Sequence, residues 1–226
     1  MKIFIDTANV DEITHYARMG FIDGVTTNPA LMATEQRTAL DVIKEIVEIV
    51  DGPISVEVVA TETARMVAEA RHLASLHENI VVKLPAIPAG FEALNIVTNL
   101  GIKVNFTMIY TANQALLAAK LGTTYVSPFV GRLDVTSTGG VELIEEIVTI
   151  YDNYGFGTQV LAASMRNSIY VKFAALAGAH AATIPPDVLK VMIESEMSQV
   201  SLDGFLEQWE TLPEASKTSL FDGVEE

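Results

Sequence analysis

Lys83 is the residue of this chain with the clearest potential for covalent chemistry. It lies in an apolar run, residues 80–85, where a buried strand is expected to end and Pro85 to turn the chain outward. Burial penalises the charged form of an amine, so the position predicts a pKa below the usual ~10.4, near roughly 7 to 8 if nearby cations contribute. An uncharged lysine forms Schiff bases with carbonyl substrates. The alternative is a rim lysine that reaches back to solvent.

Two carboxylates lie in other apolar runs. Asp6 ends the run 2–6, and Glu57 lies between valines in the run 54–58. Asp6 alone is equally well explained as a helix cap, whereas a carboxylate inside a buried strand needs a partner or a function.

Short strand-like runs alternate with helical patterns along the whole chain. Asn9 with Glu12, and Thr111 with Gln114, form capping-box patterns that predict helix starts. The candidate strands are 2–6, 22–26, 54–58, 79–83, 102–106, 123–127, 158–163 and 180–184. Strict alternation implies parallel strands, and eight units favour a closed (β/α)8 TIM barrel over an open doubly wound sheet. No glycine-rich dinucleotide fingerprint follows the first strand, which also counts against the open sheet.

Functional residues of such a barrel gather where its strands end. The predicted strand ends are unusually polar, and beyond the three residues above they supply Thr26, Asn28, Asn105, Thr107, Ser127, Phe129, Arg132, Ser164 and Arg166. Because strand side chains alternate, the pairs 105/107, 127/129 and 164/166 are each expected to project to one side of an extended strand. Singly, Asn28 is an ordinary turn residue and the arginines are ordinary surface residues. Together, Arg132 and Arg166 could clamp a phosphate.

The composition and net charge of the chain limit the classes of partner that it is expected to bind. The net charge of -15 argues against nucleic acid, and it requires a local cluster of cations for any anionic substrate. No apolar stretch approaches the ~20 residues of a membrane span, so no membrane partner is expected. The chain has no cysteine and its histidines lack metal-site spacing, which predicts a cytoplasmic protein without a metal.

Three segments are predicted: a barrel domain over 1–197, a C-terminal helix over 198–212 and a loose acidic tail over 213–226. The helix would carry one apolar face of Leu202, Phe205, Leu206 and Trp209. It lies beyond the eighth strand-helix unit, so its apolar face is expected to be covered either by its own barrel or by a neighbouring subunit.

Six segments carry a resemblance to a known family: 4–9, 24–29, 56–58, 81–85, 127–132 and 162–167. In order and over nearly the whole chain they resemble the transaldolases. The resemblance is closest to the short, single-barrel subfamily that includes the fructose-6-phosphate aldolases.

The resemblance implies a cofactor-free transfer of a dihydroxyacetone unit in the non-oxidative pentose phosphate pathway. The donor would be fructose 6-phosphate or sedoheptulose 7-phosphate, and the acceptor erythrose 4-phosphate or glyceraldehyde 3-phosphate. Lys83 would form the Schiff base, Asp6 would move the proton of the hydroxyl on the cleaved carbon, and Glu57 would act through a water shared with Thr107. Substrate-binding roles follow for Thr26, Asn28, Asn105, Ser127 and Phe129, and phosphate-binding roles for Arg132, Ser164 and Arg166. A homo-oligomer, a decamer or pentamer, is also implied.

Two other functions stay open. In a fructose-6-phosphate aldolase the three-carbon unit leaves as free dihydroxyacetone, and such family members resemble one another in having glutamine at the position of Glu57 and tyrosine at that of Phe129. Both positions here favour transfer. A non-catalytic phosphosugar-binding ring protein would have no need of Lys83 with two proton carriers.

The sequence departs from the family pattern at the barrel rim. After Lys83-Leu84-Pro85, Ala86 and Ile87 stand where the family usually has methionine and threonine.

Overall fold

A computed structural model describes residues 1–135 and 139–218 of the chain. Its strands form one closed parallel barrel in the order β1 to β8, with β8 paired to β1. This confirms the predicted (β/α)8 TIM barrel. The strands are β1 Lys2–Asp6, β2 Gly24–Thr26, β3 Ile54–Glu57, β4 Ile80–Pro85, β5 Val104–Ile109, β6 Tyr125–Pro128, β7 Gln159–Ala162 and β8 Ala181–Ile184.

Helices follow the strands, and several loops carry an additional short helix. The described helices are α1 Val10–Ala17, α2 Pro29–Thr34, α3 Ala39–Ile49, α4 Thr63–Ala74, α5 Pro88–Asn99, α6 Ala112–Lys120, α7 Val130–Val135, α8 Gly140–Tyr154, α9 Ser168–Leu176, α10 Pro186–Ile193, α11 Glu196–Glu210 and α12 Glu214–Thr218. The main hydrophobic core lies between the barrel strands and the helices around them.

The two predicted capping boxes differ in outcome. At α6 the box is complete, because Thr111 and Gln114 exchange side-chain and backbone hydrogen bonds. At α1 the Asn9 side chain accepts from the Glu12 N–H at 3.0 Å, but the Glu12 carboxylate accepts from the Thr7 hydroxyl at 2.8 Å. The Asn9 N–H donates to that same threonine hydroxyl, so Thr7 replaces the second half of the box.

The fourth strand continues beyond Lys83, which corrects the prediction that it ends there. The Val58 N–H donates to the Lys83 carbonyl at 3.2 Å, and the Ala86 N–H donates to the Thr107 carbonyl at 2.9 Å. These bonds extend the ladder to Pro85. Lys83 is therefore enclosed inside the barrel, with 7% of its surface exposed, and it is not the solvated rim lysine of the alternative interpretation.

The fifth strand also extends past its predicted end at residue 106. Its pairing with β6 shifts register between Phe106 and Ile109, and Met108 has a φ of +61°. A left-handed backbone is uncommon in a residue with a side chain, and such positions concentrate at functional sites. The irregularity lies directly after Thr107.

The barrel interior has an apolar layer below a polar one. Five buried residues form a cluster separate from the main core: Phe4, Val81, Tyr125, Leu161 and Ala181. Side chains two positions apart on a strand share a face. The residues two positions further along these strands all line one cavity: Asp6, Lys83, Ser127, Ala163 and Thr183. The apolar layer therefore closes the barrel beneath that cavity.

Residues Lys190–Glu226 form a second compact unit of the chain. Its main helix, α11, includes the four residues predicted to share an apolar face. Within the predicted tail, Glu214–Thr218 form α12, and residues 219–226 lie outside the described part. The proposed segment boundaries at 197 and 212 stay predictions. In the ranges that the structure describes, no helix has the length and apolarity needed to cross a membrane.

Candidate active site

A cavity of about 210 Å³ lies at the carboxyl ends of the barrel strands. Its wall contains every residue predicted for the site except Glu57, together with Ala163 and Thr183. The predicted residues in it are Asp6, Thr26, Asn28, Lys83, Asn105, Thr107, Ser127, Phe129, Arg132, Ser164 and Arg166. Active sites of this fold lie at this face, because the loops that follow the strands meet there.

Glu57 joins the site through an ion pair. Its carboxylate oxygen Oε2 lies 3.1 Å from Lys83 Nζ, and both side chains are about 8% exposed. The register of the barrel causes this contact, because Glu57 on β3 is the direct pairing partner of Lys83 on β4. Lys83 Nζ also donates to the backbone carbonyl of Thr27 at 2.9 Å. The amine is thus fixed between two acceptors, one of which can take its proton.

The Asp6 carboxyl has a different environment from that of Glu57. Enclosure in the barrel raises the pKa of Asp6 above its ordinary value, while a hydrogen bond from Thr26 and the charge of Lys83 oppose that rise. The Thr26 hydroxyl lies 2.7 Å from the Asp6 Oδ1 oxygen. Asp6 therefore faces the same cavity as Lys83, and its raised pKa makes its protonated form more accessible than that of an ordinary aspartate.

Asn105 is held in one orientation by two serines. Ser127 Oγ donates to the Asn105 carbonyl oxygen at 2.7 Å, and the Asn105 amide donates to Ser55 Oγ at 3.2 Å. All three residues are buried. Because the oxygen is already an acceptor for Ser127, the remaining amide proton is the group that Asn105 can offer to a ligand.

Thr107 has an unpaired hydroxyl. Among the described residues, its Oγ1 is the one buried side-chain polar atom that lacks a hydrogen-bond partner. A buried hydroxyl without a partner costs free energy, and functional sites are where such groups are found. Its position in the cavity wall makes it available to a substrate or a water molecule.

Asn28 serves the helix that follows it as well as the cavity. Its side-chain oxygen accepts from the Leu31 N–H at 3.0 Å and caps α2. The predicted turn role and the predicted binding role are therefore both compatible with its position. With the oxygen engaged in the cap, the amide NH2 is left to face a ligand.

The two arginines of the cavity follow β6 and β7. The Arg132 guanidinium lies 5.6 Å from the centre of the Phe129 ring, and Tyr110 packs edge-on against the same ring at 5.8 Å between centroids. Within the described ranges, neither Arg132 nor Arg166 takes part in an ion pair. Two cations in one cavity wall, without a salt-bridge partner among the described residues, are able to attract an anion.

Ser164 and Arg166 are not on an extended strand, which corrects the predicted geometry of this pair. β7 ends at Ala162, and Ser164 has a φ of +61°. Its carbonyl accepts from the Gly131 N–H at 3.2 Å, and a Cβ at Gly131 would lie 2.3 Å from that oxygen. This close backbone contact joins the loops that carry Arg132 and Arg166.

Four contributors to the site were not predicted from the sequence. Thr183 and Ala163 line the cavity, Ser55 orients Asn105, and the Thr27 carbonyl accepts from the lysine amine. Small residues and backbone carbonyls carry little signal in a strand-like run. The one usable signal was position, because Thr183 lies near the end of the eighth predicted strand, as Asp6 does in the first.

The fold and the cavity together define a (β/α)8 barrel protein with a buried lysine and carboxylates at its functional face. The family model described as Transaldolase/Fructose-6-phosphate aldolase matches residues 3–222. The chain belongs to this family, which makes it an enzyme of the aldolase/transferase type.

Three similar proteins are each described as a probable transaldolase. The one from Thermoanaerobacter sp. (strain X514) is 52% identical over 209 residues, which cover 92% of this chain and 97% of that protein. The one from Geobacter sulfurreducens is 53% identical over 213 residues, covering 94% and 100%. The one from Hydrogenobaculum sp. (strain Y04AAS1) is 50% identical over 213 residues, covering 94% and 98%.

Similarity to solved structures extends to more distant barrels. A mandelate oxidase variant with a monooxide FMN adduct aligns with a TM-score of 0.57 at 15% identity, over 81% of this chain and 63% of the oxidase. Another mandelate oxidase variant, solved with 2-hydroxy-phenylacetamide, aligns with a TM-score of 0.58 at 16% identity, over 81% of this chain and 64% of the oxidase. The chain spans a little under two thirds of each. At this identity the likeness concerns the fold alone.

Proposed function

We propose that the chain is a Schiff-base transaldolase of the non-oxidative pentose phosphate pathway. It would transfer a dihydroxyacetone unit from fructose 6-phosphate or sedoheptulose 7-phosphate to erythrose 4-phosphate or glyceraldehyde 3-phosphate. The observation that carries the proposal is the buried Lys83 amine, 3.1 Å from the Glu57 carboxylate, in one cavity with Asp6. A cytoplasmic location is part of the same proposal.

Schiff-base formation begins with Lys83 and Glu57. Glu57 takes a proton from the Lys83 ammonium, and the neutral amine adds to the ketose carbonyl carbon. The resulting carbinolamine loses its hydroxyl as water, for which Glu57 returns the proton. The unpaired Thr107 hydroxyl supports a water shared by Thr107 and Glu57 as the carrier in these transfers.

Carbon-carbon cleavage then depends on Asp6. The carboxylate takes the proton of the hydroxyl on the carbon to be released, that carbon becomes an aldehyde, and the bonding electrons pass to the iminium as an enamine. Addition of the acceptor aldehyde reverses these steps, with Asp6 returning the proton. The raised pKa of Asp6 suits both directions, because the group gains and loses a proton in every cycle.

Substrate binding would use donors of the cavity wall. Asn28 and Asn105 offer amide protons to the hydroxyls of the dihydroxyacetone unit, with Thr26 and Ser127 beside them. Arg132, Ser164 and Arg166 would receive the phosphate. These cations provide the local attraction that a chain of net charge -15 needs for an anionic sugar.

A coupled assay tests the proposed transfer. Fructose 6-phosphate with and without erythrose 4-phosphate should give turnover only when the acceptor is present, because the three-carbon unit stays bound to Lys83. Release of dihydroxyacetone at a comparable rate without acceptor would show a fructose-6-phosphate aldolase instead. The residues Glu57 and Phe129 support transfer, because family members with aldolase activity resemble one another in having glutamine and tyrosine there.

Removing either arginine should weaken binding of phosphorylated sugars. For Arg132→Ala and Arg166→Ala we expect the KM for fructose 6-phosphate to rise roughly 10- to 100-fold, the effect of losing a charge-assisted hydrogen bond. The KM for unphosphorylated fructose should change little. The measurement is steady-state kinetics with both donors.

Two controls accompany the arginine variants. Arg65→Ala removes an exposed arginine of α4 that pairs with Glu69, and it should leave both KM values unchanged. Arg166→Lys should recover only part of the binding, because an ammonium cannot donate bidentately. Equal losses with both donors would show that the arginines have a structural role.

We also propose that α11 joins subunits of a homo-oligomer, a decamer or pentamer. Leu202, Phe205 and Leu206 are exposed on this helix, Phe205 by 69%, and Trp209 is half-buried. An apolar face of this kind marks an interaction surface. The helix α11 lies in the second compact unit of the chain.

Charges placed on that face should break the assembly. Phe205→Glu combined with Leu206→Glu is expected to give smaller species by light scattering while the circular dichroism of the folded barrel persists. Gln208→Glu, on an exposed position of the same helix, should keep the wild-type mass. Wild-type protein that is monomeric at micromolar concentration would contradict the proposal.

A further inference from the structure

Two buried hydroxyls connect β8 to the Asp6 carboxyl. Thr26 Oγ1 lies 2.7 Å from Asp6 Oδ1 and 2.5 Å from Thr183 Oγ1. Thr26 and Thr183 are 2% and 3% exposed. The closure of the barrel makes the contact possible, because β1 is paired with β2 on one side and with β8 on the other.

The direction of donation in this chain of hydroxyls follows from the charge of Asp6. An ionised carboxylate only accepts hydrogen bonds, and a threonine hydroxyl has one proton to give. When Asp6 is ionised, the Thr26 proton must therefore go to Asp6. The Thr26 oxygen then accepts from Thr183, which gives the order Thr183 to Thr26 to Asp6.

We propose that Thr183 is a positioning residue for the reaction, which acts on Asp6 through Thr26. By donating to the Thr26 oxygen it directs the only Thr26 hydroxyl proton to Asp6, and it strengthens that bond by polarising the hydroxyl. The carboxylate form of Asp6 is favoured and held in place. The inference rests on the proposed role of Asp6 as the proton acceptor of carbon-carbon cleavage.

The charged groups around Asp6 come from other strands and from the segments that follow β6 and β7. Lys83 on β4 favours the ionised carboxylate, and Glu57 on β3 is paired with that lysine. Arg132 and Arg166 line the same cavity. The side chains that β2 and β8 contribute to this hydrogen-bond chain are the uncharged Thr26 and Thr183. A change at position 183 therefore alters the hydrogen-bond chain without altering a charge.

Replacing Thr183 with valine tests the inference, because valine keeps the shape and removes the hydroxyl. Weakening the Thr26 bond should raise the pKa of Asp6, so the acid limb of the pH profile of kcat/KM should move to higher pH. Cooperative strengthening of about 10–30% of a charge-assisted hydrogen bond predicts a loss of kcat/KM below the limb of up to about fourfold, with the plateau above it little changed. Thr183→Ser should restore the wild-type limb.

Infrared titration of the protonated carboxyl band gives a second measurement that needs no turnover. The band of Asp6 is assigned by its loss in Asp6→Asn, and in Thr183→Val it should persist to higher pH. Thr183→Ala, which also lacks the hydroxyl, should behave in the same way and serves if the valine variant folds poorly. The matched control is Thr158→Val, because that buried hydroxyl donates to the Thr123 carbonyl away from the cavity.

The outcomes separate the inference from the proposed function. If the Asp6 band and the limb stay in place without the Thr183 hydroxyl, or move equally in Thr183→Ser or Thr158→Val, the role of Thr183 is refuted. If Asp6→Asn retains turnover, the proposed role of Asp6 is refuted, while the infrared band still decides whether Thr183 acts on that carboxyl. A shift in Thr183→Val and Thr183→Ala alone supports the inference.

Discussion

Lys83→Ala should lose turnover by about 10⁴-fold or more, the scale on which removal of a nucleophile acts in a covalent mechanism. The fold should persist, because the side chain projects into a cavity and its ion pair is with one residue, Glu57. Lys83→Arg should not restore activity, since a guanidinium stays protonated and cannot add to a carbonyl. The measurement is the coupled assay together with circular dichroism.

Borohydride reduction in the presence of fructose 6-phosphate locates the nucleophile. Mass spectrometry should find the reduced adduct on the peptide that contains Lys83, and Lys83→Ala should not be labelled. Lys103→Ala is the matched control, because the Lys103 amine donates to the Glu78 carbonyl at an exposed position. It should remain active and labelled. An adduct on Lys103 or Lys120 would overturn the assignment, and no adduct at all would favour a protein that only binds phosphosugars.

The barrel and most of its cavity could be predicted because polar residues stand out in apolar runs. Asp6, Lys83 and Asn105 are each preceded by valine, isoleucine or phenylalanine in a strand-like run. A charge or amide in such a run costs free energy unless it has a partner or a function. The parallel barrel then collects these strand ends at one face, which is why residues distant in sequence line one cavity.

The limits of strands were harder to predict than their existence. Pro85 after Lys83 suggested a turn, but the hydrogen bonds between neighbouring strands continue past the lysine to that proline. Ser164 was expected on an extended strand, but its backbone is left-handed and its carbonyl accepts a hydrogen bond from the Gly131 N–H. Both features depend on contacts between neighbouring strands and loops, which a local pattern does not contain.

The hydrogen-bond partners of the site residues could not be predicted from the sequence for the same reason. Nothing local distinguishes Ser55, which accepts from Asn105, from any other serine in a strand. The Thr27 contribution comes from a backbone carbonyl, which every residue has. Such partners become visible only when the register of neighbouring strands is known.

Asp6→Asn should separate Schiff-base formation from carbon-carbon cleavage. The asparagine keeps the shape and can accept the Thr26 hydrogen bond, but its amide cannot take a proton from the substrate. Turnover should fall roughly 10²- to 10⁴-fold, the range for loss of a general base. Lys83 and Glu57 remain intact, so borohydride should still trap the fructose 6-phosphate adduct on Lys83. Asp11→Asn, an exposed change in α1, should leave turnover as in the wild type.

The pH dependence gives a second expectation for Asp6. Cleavage needs the ionised carboxylate, so kcat/KM should fall as the pH drops through the pKa of Asp6 in the free enzyme. Because enclosure raises that pKa, the acid limb should lie above the ~3.9 of an ordinary aspartate, and Asp6→Asn should abolish it. Loss of both turnover and trapping in Asp6→Asn would instead place Asp6 in Schiff-base formation. A limb that persists in this variant would assign the titration to another group.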